Sequence, residues 1–167
     1  GQGASSIIAT EWARQDPAAA LTWASSLATG KNEAMTAVVG EVAKTDPRKA
    51  AEMIARMDPE QRADSYRSVA AQYGAMDFAE AQTWIRTLPA DDQEGALASA
   101  IEGLSGKDPA AAAKQVSAMP DGEAKDRLVG DVVRDLARKD TQAAEDFLKE
   151  QTSEEAQRDA MRDLMPA

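Results

Sequence analysis

Apolar residues recur along this chain in short stripes with helical spacing, and the stripes themselves repeat. The clearest stretch is Asp16-Pro17-Ala18-Ala19-Ala20-Leu21-Thr22-Trp23-Ala24-Ser25-Ser26-Leu27. Related stretches begin at Asp46-Pro47, Asp77-Phe78, Asp108-Pro109 and Asp140-Thr141, so the five aspartates stand 30, 31, 31 and 32 residues apart. A period in this range marks a repeat architecture. Four residues after each aspartate stands Ala20, Ala50, Ala81, Ala112 or Ala144. Seven after stands Trp23, Met53, Trp84, Gln115 or Phe147, and eight after stands Ala24, Ile54, Ile85, Val116 or Leu148. Eleven after stands Leu27, Met57, Leu88, Met119 or Gln151. These offsets trace one face of an α-helix. The unbroken alanine position predicts close approach of a neighbouring helix.

A second stripe precedes each aspartate. At eight and four residues before it stand Ile8 and Trp12, Val38 and Val42, Val69 and Tyr73, Ala100 and Leu104, then Val132 and Leu136. The pattern predicts two helices per repeat. The aspartate N-caps the first, since its carboxylate accepts from orphan amides at the positive end of the helix dipole. Proline at 17, 47 and 109 suits the next position, where no amide hydrogen is needed. The second helices are expected near 32–44, 59–74, 91–105, 121–138 and 153–165, the last stopping near Pro166. Short turns join the pairs: Thr29-Gly30-Lys31-Asn32, Asp58-Pro59, Pro89-Ala90-Asp91-Asp92, Pro120-Asp121-Gly122 and Thr152-Ser153. Connections this short predict antiparallel neighbours. Asp58 with Gln61, and Ser153 with Glu154 and Glu155, read as caps of second helices.

Residues 1–15 read as a half repeat, a second helix without its first. Eleven helices and no strand are therefore expected, in one all-α domain spanning 1–167, with repeats starting near 16, 46, 77, 108 and 140. A half repeat at the start also suggests trimming from a longer parent. One helical pair cannot bury its stripe alone, so the pairs are expected to stack as a right-handed α-solenoid with a concave groove.

Proline six before a large residue and leucine four after it, as in Pro17, Trp23 and Leu27, resembles the first helix of tetratricopeptide repeats. Trp84 and Leu88 occupy the same two positions. The family's period is longer, at 34 residues. The resemblance implies a helical superhelix that binds peptides or proteins, and no ligand-specific residue. The array is also similar to short repeats of bacterial secreted proteins, which implies a periplasmic or secreted setting.

Composition narrows the chemistry. The chain has no cysteine and no histidine. A disulfide or thiolate metal site is excluded, as are the commonest general base and the commonest transition-metal ligand. Ser5-Ser6 and Ser25-Ser26 have no base in reach. The acid group Asp91-Asp92-Gln93-Glu94 lacks the alternating oxygen ligands and glycine of a calcium loop, and reads as helix capping. No enzyme, cofactor or metal is expected; a catalytic domain, such as a cell-envelope hydrolase, would lie elsewhere in a longer parent. The net charge is −10, with 9 acids and 8 bases in residues 1–76 but 20 and 11 in residues 77–167. That field disfavours nucleic acid and points to a basic partner, if charge selects one. No stretch is apolar enough to insert in a membrane.

The residues off the first-helix stripe, at offsets 2, 6 and 9, are the expected binding surface. Arg48, Glu52, Arg86 and Lys114 are the candidate contacts to a protein or peptide. Trp12, Trp23 and Trp84 are expected to pack in the core rather than to anchor a ligand. The unpaired first helix leaves an apolar face that invites end-to-end self-association.

Overall fold

The computed structural model describes residues 2–164, all ten α-helices of which follow the repeat, with no strand among them. They are α1 (Gln2–Gln15), α2 (Pro17–Ser25), α3 (Lys31–Ala43), α4 (Pro47–Ile54), α5 (Arg62–Met76), α6 (Phe78–Ile85), α7 (Ala90–Lys107), α8 (Pro109–Ser117), α9 (Glu123–Lys139) and α10 (Thr141–Leu164). A 3-10 turn at Pro59–Gln61 precedes α5.

The count differs from the eleven expected because the last pair is one continuous helix. Thr152 and Ser153 do not turn. The other connections contain glycine or proline, whereas this one has neither, and the Thr152 hydroxyl donates back to the Leu148 carbonyl at 2.9 Å in ordinary helical fashion. Ser153 therefore starts no helix, and Pro166 lies outside the described residues. Asp58 is a second correction. Its carboxylate caps nothing; its backbone carbonyl accepts the Gln61 amide at 2.9 Å, closing the 3-10 turn.

The five aspartates form the recurring joint. Their carboxylates accept from the amides of Ala19, Lys49, Glu80, Ala111 and Ala143 at 3.0–3.2 Å. Their own amides donate to the carbonyls of Trp12, Val42, Tyr73, Leu104 and Leu136 at 2.6–2.8 Å. One residue thus ends the second helix of one repeat and opens the first helix of the next. Its conformation recurs too, with φ between −141° and −158°. The chain needs no loop at these corners.

The first helices are short, eight or nine residues in α2, α4, α6 and α8. Their last turn tightens into bonds three residues apart, such as Met57 amide to Ile54 carbonyl at 2.9 Å and Leu88 amide to Ile85 carbonyl at 3.0 Å. Tightening keeps the offset-11 residue aimed inward, so Met57 and Leu88 are buried beyond the helix end. Gly30 takes φ +75° just before α3, the left-handed region in which a side chain is strained.

Contacts group the chain into two compact units, Gly1–Gly103 and Leu104–Ala167. In the first, α1 packs on α3 and α3 on α5, while each of these also packs on the short first helices beside it. Its core joins Ala20, Leu21, Ala24, Val38, Val39, Ile54, Val69 and Ile85 with surrounding alanines. Trp23 and Trp84 pack half-buried against that core. Trp84 meets Tyr73 and Tyr66 at ring distances of 5.8 and 6.2 Å. In the second unit α8 packs on α9 and α9 on α10, around Ala112, Val116, Leu128, Val132, Leu136 and Phe147. All five offset-4 alanines are buried.

Three stripe residues are exposed, two of them on the apolar face expected to be open on α1. Trp12 and Ile8 are exposed although most of their counterparts in later repeats are buried. Trp12 keeps one ring contact, with Trp23 at 5.5 Å. Leu148 is exposed as well, on the helix that never folds back.

Candidate functional site

The exposed surface of the first helices is the candidate site. Offsets 2 and 6 are exposed in every repeat: Ala18 and Thr22, Arg48 and Glu52, Ala79 and Thr83, Ala110 and Lys114, Gln142 and Asp146. At offset 9, Ala55, Arg86 and Lys149 are exposed and Ser25 and Ser117 half-buried. The aspartate joint sets this, because it fixes the first turn and hence the rotation of the face that follows.

The structure treats the four candidates differently. Glu52 lines a shallow cleft of about 210 Å³ between α2 and α4, with Ala18, Leu21, Lys49, Met53 and Arg56. The cleft has an apolar floor and a rim of one acid between two bases. Such a mix of apolar surface and a few charged groups suits a peptide side chain and its flanking backbone. Arg86 is exposed at the C-terminal end of α6. Lys114 is exposed on α8, in the other compact unit.

Arg48 is exposed but already engaged. Its guanidinium pairs with Glu80 of the next repeat, one contact measuring 2.7 Å from Nη2 to Oε2 and the other joining Nε to Oε1. The hydrogen bond from Arg48 holds the Glu80 carboxyl below the usual carboxylate range. Burial, and then Glu80 beside it, pushes the Tyr73 phenol up. Arg48 therefore ties α4 to α6. A second ion pair ties α1 to α3: Arg14 donates to Glu41 at 2.9 Å, and Lys44 reaches the other oxygen at 3.0 Å. Both donors hold Glu41 below its ordinary value, the Arg14 bond contributing most.

Two repeat positions escape the reading of apolar stripes. Fifteen residues before the later aspartates stand Lys31, Arg62, Gln93 and Lys125, all long side chains ending in N–H donors. Arg62 folds back onto the end of the first helix, donating to the carbonyls of Met57 at 3.0 Å and Ala55 at 2.9 Å. Gln93 does the same one repeat on, to Leu88 at 2.9 Å and Arg86 at 3.4 Å. These carbonyls have no intrahelical partner, so the side chain supplies it. Lys125 is buried, with Asp121 at 3.6 Å.

Three residues before the first four aspartates the side chain is small and buried, Ala13, Ala43, Gly74 and Ser105, whereas Ala137 before the fifth is small but exposed. Here successive second helices cross. A Cβ on Gly74 would overlap the Ala100 backbone, and one on Gly103 the Ala71 carbonyl, so α5 and α7 meet backbone to backbone. In the second unit Ser105 donates to Asp135 at 2.7 Å.

Among the described residues no cluster of His, Cys, Asp or Glu could hold a metal ion, and no helix is long and apolar enough to cross a membrane. Asp91 and Asp92 lie in the first turn of α7, favourably placed against its dipole. Compared with known protein families, with curated proteins and with solved structures, the chain gives no match.

Proposed function

We propose that this chain is a protein-interaction module, an α-solenoid of tetratricopeptide-like hairpins that holds a peptide or protein segment along its first helices. The observation that carries the reading is the repeated aspartate joint, which presents the same exposed first-helix face in each repeat. Nearest-neighbour crossings through small residues support a stacked arrangement, since each pair leans on the next for apolar cover. The α2–α4 cleft is the starting point of the binding surface, with Glu52 and its basic neighbours Lys49 and Arg56 on the rim. Arg86 extends the surface to the next repeat, and Lys114 stands on the corresponding first-helix face of the other compact unit. Arg48 acts through Glu80 in holding α4 against α6. The net charge of −10 favours a segment that is basic overall.

A random peptide library displayed on phage, panned against the intact chain, tests the proposal. Enriched peptides should be basic, and should bind the wild type in calorimetry. The triple substitution Glu52→Ala, Arg86→Ala, Lys114→Ala should weaken them by about tenfold or more, equivalent to about 1.4 kcal/mol. Equal affinity for the triple variant, with its helicity intact, removes the proposed surface.

A further inference from the structure

Helix α10 carries both halves of a repeat in one straight rod. Its opening residues 141–151 hold the first-helix positions, and Ala144 and Phe147 are buried there as in the other first helices. Leu148 is the exception, 47% exposed where Ala24, Ile54, Ile85 and Val116 are 0–4% exposed. Helix α9 packs on α10, just as the preceding second helix packs on α2 and on α4. What α2 and α4 have besides is the following helix, α3 or α5. On α4 that helix reaches the face in question, for the Ser65 hydroxyl of α5 donates to the Met57 sulfur at 3.4 Å, one turn beyond Ile54. The cover that Leu148 lacks is therefore a second helix.

The sequence of residues 153–164 is that of a second helix. Lys31, Arg62, Gln93 and Lys125 recur at steps of 31 or 32 residues, and a further step of 32 falls on Gln157. Three and seven residues after each of the first four stand small or apolar residues that are buried, such as Ala34 and Val38, or Leu128 and Val132. Gln157 is followed by Ala160, Met161 and Leu164 at three, four and seven. Yet α10 is continuous from Thr141 to Leu164, so the stretch that matches the missing cover is held away from Leu148 of its own chain.

We infer that α10 pairs antiparallel with α10 of a second copy, residues 153–164 of each chain covering Leu148 of the other. The contact is a domain exchange, because the pairing that joins the two helices of each earlier hairpin is made here between molecules. Its symmetry is built into the helix. Twelve residues lie on each side of the Thr152–Ser153 bond, so a two-fold axis at that bond sets each first-helix half against a second-helix half. The association is isologous and closes at two copies. Burial of apolar side chains drives it. Charge opposes it, since residues 141–164 hold seven acids and three bases, and the dimer tightens as salt screens them.

Sedimentation velocity over a concentration series should show the weight-average mass rising from 17.7 kDa toward twice that value and no further. Leu148→Asp keeps the chain monomeric; the side chain is exposed, so circular dichroism retains its wild-type shape, and Leu148→Ser is the milder variant if aspartate disturbs it. Because the chain has no cysteine, a disulfide reads the pairing directly. Positions 148 and 157 are equidistant from the two-fold axis, so the double substitution Leu148→Cys, Gln157→Cys gives a covalent dimer on mild oxidation. Leu148→Cys alone stays unlinked, because the two substituted positions lie nine residues, about 13 Å, apart along the antiparallel pair, beyond disulfide reach. A wild-type chain of constant mass, or one that grows past the dimer, overturns the inference. So does a double variant that stays unlinked or closes an internal disulfide, which places the segment on its own chain, and so does a covalent dimer from Leu148→Cys alone, which sets the exposed leucines side by side. The α2–α4 cleft lies in the other compact unit, and peptide capture there is measured on the Leu148→Asp monomer, so failure of one reading leaves the other standing.

Discussion

Glycine to alanine inside a helix ordinarily stabilises, by about 0.5–1 kcal/mol, because alanine has less backbone freedom to lose. Gly103→Ala in this chain should do the opposite. Its Cβ would overlap the Ala71 carbonyl, and that oxygen belongs to the α5 backbone rather than to a side chain that can rotate away. The two helices must separate, disturbing the reciprocal contact at Gly74 and Ala100. Overpacking of this kind costs about 1–3 kcal/mol, and a backbone obstacle places it near the upper figure. Subtracting the propensity gain leaves a net loss of about 2–2.5 kcal/mol. For a chain of this size that lowers the melting temperature by roughly 4–10 °C, at 2–4 °C per kcal/mol. Gly106→Ala and Gly130→Ala are the internal controls. Both lie within helices, with nothing near the added Cβ. They should raise the melting temperature by a few degrees, by the same propensity that Gly103→Ala forfeits to the clash. Thermal unfolding followed by circular dichroism at 222 nm, with urea titration beside it, separates the signs. If Gly103→Ala stabilises as its controls do, the close crossing of α5 and α7 is not there.

The aspartate joint makes a broader prediction: Asp46→Ala, and likewise Asp108→Ala, should cost about 1 kcal/mol in urea unfolding, while Asp→Asn at the same positions keeps most of the cap. Arg62→Ala should destabilise by about 1 kcal/mol, because two helix-end carbonyls lose their donor, and Arg62→Lys should recover only part of it, lacking the planar fork. Acid should weaken the structure in a defined way. Glu41 and Glu80 both have depressed carboxyl values, so their contribution is present above the unfolded value of about 4.3 and is lost as pH falls through the folded one. The melting temperature should therefore drop below about pH 4, and the double substitution Glu41→Gln, Glu80→Gln should flatten that part of the profile. A wild-type-like acid limb in the double variant would place the acid sensitivity elsewhere.

The local features were legible because a few neighbouring residues decide them. Asp followed by Pro, or by another helix former, is enough to open a helix, and all five joints formed where the aspartates stand. The offset-4 alanines and the inward stripe followed from spacing alone. The donor role that Arg62 and Gln93 share at one repeat position was present in the sequence but hidden, since the two have the same function and not the same charge. The same holds for Ala13, Ala43, Gly74 and Ser105, which share only smallness. Thr152-Ser153 misled because Ser153 and the two acids after it imitate a cap, yet no residue there forbids the helix from continuing.

What the amino-acid order determined by itself is the helical repeat: where each first helix starts, which face of it is apolar, and which residues stand outside that face. Tertiary structure alone decided which of those outer residues are free. Arg48 and Glu52 lie four apart on one helix, but Glu80 stands in the next repeat and claims Arg48, leaving Glu52 at the cleft. Capping and periodicity act over a few residues and can be read along the chain. Ion pairs and helix crossings join residues about thirty apart, and only the folded geometry brings them within reach.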